Sequence, residues 1–217
     1  MPDGDPSIVA AKPPFAPRVL ILACGALARE IRDLSTANGW DNIDMECLPA
    51  ILHNTPKDIP AAVDHRLGRA RETYDRILVG YGDCGTGGLL DRVLERHGVE
   101  RLPGAHCYEF FAGRQDFTRL HAEEPGSFYL TDFLVKHFEH LVWRTLGLDR
   151  YPHLLDTYFA NYRRLVYLAQ TTDPELIRRA GECADRLRLT FEHRYVGYGE
   201  MAIELGRFAA AESGEAA

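Results

Sequence analysis

The chain has 217 residues, 46% of them hydrophobic, which is enough for one substantial core, or one core with a helical annex, and too little for two large independent domains. Its formal net charge of −7 and the lack of any Lys/Arg block exclude a nucleic-acid backbone or an anionic membrane surface as partner. The longest apolar runs fall far short of the ~20 residues that span a bilayer. The start, "MPDGDPSIVAAKPPFAP", is acidic and proline-rich and not built like a signal peptide, so a cytoplasmic location is expected.

Residues 1–16 read as a flexible arm, because prolines crowd its end and no apolar period runs through it. "RVLILAC" (18–24) is a short continuous apolar run, as in a strand covered on both faces, and Leu27, Ile31, Leu34 and Ala37 follow at helical spacing. The unit recurs with "IDMECLP" (43–49) and a helix marked by Ile59, Val63, Leu67 and Ala70. It recurs again with "DRILVGY" (75–81) and a helix marked by Leu89, Leu90, Val93 and Leu94. "VERLPG" (99–104) is a weaker fourth strand, and "EPGSFYLT" (124–131) a turn leading into an edge strand. Strands alternating with helices predict an α/β fold, a Rossmann-like, doubly wound and mainly parallel sheet over 17–131. From about 131 the periods are helical only: Phe133–Val142, then Leu154–Val166, then Leu176–Leu187, the last opened by "TTDPE" with Pro174 at its first position. An all-helical C-terminal part over 132–210, packed on the same core, is therefore expected.

"GYGDCGTGG" (80–88) places five glycines and a cysteine directly after the third strand. Gly80, Gly82 and Gly85 match G-x-G-x-x-G, but after the wrong strand for a dinucleotide site and with no acid ending the next strand for a ribose. A phosphate loop would need a lysine. Glycine alone fits close packing at a helix start; it does not explain Asp83 or Cys84.

Five cysteines form no disulfide framework or CxxC knuckle. In a parallel sheet all strand C-termini share one edge, so Cys24, Cys84 and Cys107, each following a strand, can converge there, with His53 at the same edge and His106 beside Cys107. Three thiolates suit zinc with an open position, or an iron–sulfur cluster with one iron free for a small substrate. Helix N-termini after Cys24 and Cys84 would lower their thiol pKa values. Cys47 and Cys183, on apolar faces, read as small buried hydrophobes. Gly85, Gly87 and Gly88 would offer backbone N–H groups to an anionic substrate. Asp83, Glu30 and Tyr129 are candidates for acid–base work or for orienting ligands.

"ILACGALAREI", "LHNTP", "ILVGYGDCGTGG", "HCYEFFAG" and "PGSFYLTDF", in this order, resemble the domain of unknown function 1638 family of bacteria and methanogenic archaea, over most of residues 18–205. The resemblance implies the same strand-end cysteines at Cys24, Cys84 and Cys107, with His53 in its matching loop. Members that lie near corrinoid-dependent methyl-transfer genes imply one-carbon or metallocofactor chemistry by association. Here His106 is followed directly by Cys107 where the family pattern would place an Asp between them.

The expectation is a metal-binding protein acting on a small thiol or carboxylate in a methyl-transfer or lyase-type step. Two rivals stand beside it. One is an enzyme in which Cys84, activated by His53 or His106, is a metal-free nucleophile. The other is a carrier that passes its metal to a partner protein docked on the C-terminal helices.

Overall fold

The computed structural model describes residues 17–210; the arm expected over 1–16 lies outside them. Val19–Cys24 forms β1, whose six side chains are all buried, since helices cover both faces of its sheet. It pairs with β2 (Ile43–Leu48) on one side and β3 (Arg76–Gly80) on the other, and β3 carries the short β4 (Glu100–Arg101). All pairs are parallel and the order is β2-β1-β3-β4. The connections are α1 (Ala28–Asn38), α2 (Ile59–Ala70) and α3 (Leu89–His97). Because the chain steps from β1 to β2 and then back across to β3, the direction of winding switches between β1 and β3, where ligands of such sheets bind.

The second half corrects the all-helical reading. After α4 (Cys107–Ala112) and α5 (Arg114–Glu123) come β5 (Ser127–Thr131), α6 (Asp132–Lys136), a π-helical turn (Glu139–Trp143) and α7 (Leu154–Tyr158). Then follow β6 (Arg164–Ala169), α8 (Pro174–Leu187), β7 (Thr190–Tyr195) and α9 (Gly199–Ala210). β5, β6 and β7 form a second parallel sheet. The helix expected over 174–187 is present, with the Asp173 carboxylate accepting from the Glu175 N–H at 2.9 Å. The stripe 154–166, however, is split into α7 and the start of β6. Parallel strands joined by helices, with helices on the sheet faces, are the α/β architecture the strand–helix alternation predicts.

Helices α2 and α3 cover one face of the first sheet, and α1, α4 and α9 the other, where Met201 and Leu205 meet Ile21, Leu78 and Phe110. The chain's last described helix therefore closes the first sheet, not the second. Among the described residues no helix is long and apolar enough to cross a membrane.

Candidate functional site at the thiol-lined cavity

The C-terminal edges of β1, β3 and β5 look onto one cavity of about 270 Å³. Cys24, His53, Tyr81, Cys84 and Cys107 line it from the first sheet and its loops, and Phe128, Phe133, Leu134, Leu141, Val142 and Leu146 from the second half. Three of the five cysteines are thus gathered on the walls of a single space at the switch between β1 and β3.

Each thiol is positioned by backbone. Cys24 ends β1 and opens a 3₁₀ turn, its Sγ accepting from the Ala26 N–H at 3.3 Å. Cys84 follows β3 in a loop stitched to the loop before α4: the Asp83 N–H donates to the Gly104 carbonyl at 3.1 Å and the Cys84 N–H to that of Ala105 at 2.8 Å. Gly82 permits this approach, because a Cβ there would lie 3.1 Å from the Gly104 oxygen and from backbone atoms of Ala105 and His106. Arg101 fixes the same loop from beneath, donating to the Leu102 and Gly104 carbonyls while paired with Asp91. Cys84 itself has φ +50, a left-handed conformation that a non-glycine residue rarely adopts and that surrounding contacts must enforce.

His53 sits in a 3₁₀ turn over Ala50–Asn54, its Nδ1 3.2 Å from the Ala50 carbonyl and 3.7 Å from Cys24 Sγ. A carbonyl can only accept, so in the neutral ring Nδ1 carries the hydrogen and the Nε2 lone pair is left for a ligand. The ring stacks on Tyr81 at 5.7 Å between centroids, and the buried Tyr81 hydroxyl has the Cys24 thiol beside it. Tyr81 escaped the sequence reading, although pairing of Ala23 with Gly80 places it next to Cys24. The apolar wall from 128 to 146 escaped it too, because a helical stripe does not say which half of the molecule it faces.

Burial pushes the Cys24 thiol up to about 12; the Ala26 N–H opposes this and the charge of Cys84 adds to it. Burial likewise raises Cys84 to about 11, against N–H groups of Gly82 and Cys107 that favour its anion, and lifts Cys107 well above the ordinary thiol value, with Cys84 and Cys24 adding repulsion. The expected lowering by helix N-termini is overturned, since desolvation outweighs it and the helix after Cys84 starts only at Leu89. Burial lowers His53, which is therefore neutral at neutral pH. Three protonated thiols that repel one another as anions are poor free nucleophiles and good ligands for a cation, whose charge removes both penalties. Among the described residues no three His, Cys, Asp or Glu side chains stand close enough, as placed, to hold one metal ion.

The other predicted residues lie elsewhere. Asp83 braces its own loop: its carboxylate accepts from Thr86 Oγ1 and Gly88 N at 2.8 Å and from Gly87 N at 3.1 Å. Burial would raise its pKa, but these bonds prevail and hold it below the usual carboxylate range. The Gly87 and Gly88 amides are thereby taken, and none of Gly85, Gly87 and Gly88 lines the cavity. His106, exposed, and Tyr129, on β5, line a separate aromatic cleft that shares Tyr108 with the thiol cavity. Glu30 on α1 is only 2% exposed, with no hydrogen-bond partner for Oε2; burial raises its pKa, and its charge is felt by Cys107, yet it does not line the cavity. Cys183 is buried in the core of the second sheet as expected, whereas Cys47 is exposed, because β2 is an edge strand.

A model described as "Protein of unknown function (DUF1638)" matches residues 47–203. The chain belongs to this family. The matched stretch holds His53, Cys84 and Cys107, and Cys24 on β1 precedes it. A search of curated proteins finds none that matches.

The sulfur environments predict a labelling pattern. In reduced, metal-free protein at pH 8, a chromogenic disulfide reagent is expected to react fastest with the exposed Cys47, although desolvation raises its thiol somewhat, and slowly with the half-buried Cys107, whose thiol is raised well above the ordinary value, and with the buried Cys24, Cys84 and Cys183. A pKa near 12 in place of 9 lowers the thiolate fraction of Cys24 by ~10³. Cys47→Ser should abolish the fast phase; a fast phase of two or more thiols would mean that the cavity sulfurs are open and ionised.

Proposed function

We propose that this chain binds an iron–sulfur cluster through Cys24, Cys84 and Cys107 and uses it on a small molecule held in the adjoining cavity. The observation that carries the reading is geometric. Three thiols distant in sequence line one cavity at the strand-order switch of a parallel sheet. A cluster suits them better than a single zinc ion, which needs every donor within ~2.0–2.3 Å of one point; the side chains as placed offer no such convergence. A cluster is itself broad and takes thiolates that stand further apart.

With three protein thiolates, such a cluster supplies one iron open to substrate. The remaining tasks fall to the chain. His53, with Nδ1 turned to the Ala50 carbonyl, presents Nε2 as a proton acceptor beside the sulfurs. The stacked Tyr81 holds that ring in place. Phe128, Phe133, Leu134, Leu141, Val142 and Leu146 give the cavity an apolar wall that would disfavour water beside the sulfurs.

Protein expressed and purified without oxygen is expected to carry roughly four iron and four sulfide per chain, with broad visible absorption. Stoichiometric zinc in place of iron, or no iron after reconstitution with iron and sulfide, would overturn the proposal.

A further inference from the structure

The cavity has an unusual feature for a polar reaction site: none of the residues lining it is Asp, Glu, Lys or Arg. Its polar groups are few and partly engaged with one another. Asn54 Nδ2 donates to Thr145 Oγ1 at 3.3 Å, Thr145 Oγ1 donates to the His140 carbonyl at 2.9 Å, and Thr131 Oγ1 accepts from the Leu134 N–H at 3.4 Å. The loop amides that might have received an anion, those of Gly87 and Gly88, point to Asp83. The wall opposite the thiols is Phe128, Phe133, Leu134, Leu141, Val142 and Leu146, two of them on the π-helical turn, an irregularity that is frequent at functional sites.

We infer that the ligand of this cavity is a small, uncharged molecule with an apolar body, and that the side chains of 128–146 select it by excluding charge. In the metal-free cavity a carboxylate, phosphate or ammonium would be stripped of water with no side-chain counter-charge to replace it. An apolar body instead gains burial against the aromatic and aliphatic wall. The volume of about 270 Å³ lies just below the ~300–1,000 Å³ of pockets for drug-sized ligands, so the guest is small. The expectation of a carboxylate substrate held by glycine amides is replaced by this one. The inference rests on the functional reading above only in taking the thiol cavity as the working site.

The test uses three near-isosteric probes, isovaleramide, isovalerate and 3-methylbutylamine, titrated by calorimetry into metal-free and into reconstituted protein, with iron measured in parallel. The neutral amide is expected to bind the metal-free form about tenfold or more tighter than either ion. Leu146→Arg and, separately, Leu134→Arg, both at partly buried positions of the wall, should weaken the amide and strengthen isovalerate. No detectable amide binding, ions binding as tightly as the amide, or a neutral preference unmoved by both substitutions would each overturn the inference. The two proposals fail separately. Neutral selectivity without iron sinks only the cluster; iron with a preference for ions sinks only the uncharged ligand.

Discussion

Protein carrying Cys84→Ser, reconstituted anaerobically with iron and sulfide, is expected to hold less than about a tenth of the iron held by the unaltered chain. The substitution is a narrow probe. Serine keeps the Cβ, so the left-handed backbone at φ +50 is no more strained than before, and the loop's bonds to Gly104 and Ala105 come from main-chain N–H groups that any residue supplies. What disappears is a soft thiolate, replaced by a hydroxyl that does not ionise near neutral pH and binds iron poorly. Cys24→Ser and Cys107→Ser should behave alike, because the three sulfurs share one cavity. Cys47→Ser and Cys183→Ser should retain iron, since one thiol lies exposed on an edge strand and the other in the core of the second sheet. Iron retained in Cys84→Ser at the unaltered level, with circular dichroism unchanged in both, would remove Cys84 from the ligand set.

Gly199→Ala is expected to cost at least about 3 kcal/mol of unfolding free energy and to lower iron retention as well. Gly199 opens α9 at φ +51, and a Cβ there would stand 2.6 Å from the Phe110 oxygen and closer still to that of Phe111, so both backbone conformation and space forbid it. Those two carbonyls belong to α4, the helix that begins at Cys107. Displacing α9 withdraws Met201 and Leu205 from Phe110 and Phe111 and loosens the support of that helix. Urea unfolding of the metal-free protein measures the first effect and iron content the second. A loss under about 0.5 kcal/mol would show that α9 does not depend on this contact.

Why the first sheet was legible and the second was not follows from how each strand is exposed. β1 and β3 are short apolar runs bounded by glycine, proline or charge and followed by clean helical periods, and their observed bounds fall within a residue or two of the expected ones. β6, "RLVYLA", is as apolar as β1. A continuous apolar run carries no period of its own, however, and the preceding Leu154, Leu155, Tyr158 and Tyr162 extended a helical one into it. β7, "TFEHRY", is an edge strand with exposed positions and little apolar content to announce it. At the site, strand-end placement was enough to bring Cys24, Cys84, Cys107 and His53 to one cavity. It could not reveal that Asp83 turns inward to brace its loop, that Tyr129 and His106 face another cleft, or that thiols so buried hold their protons. Those outcomes depend on tertiary neighbours and on desolvation, neither of which a linear pattern encodes.

The sulfur-bearing loops hang from one sheet, while the greasy surface facing them is built on the other. On the function proposed above, reactivity and guest selection would be housed in different halves of the molecule. Exchanging the wall residues Phe128, Phe133, Leu134, Leu141, Val142 and Leu146 would then reshape what is admitted while the loops that carry the sulfurs keep their own frame.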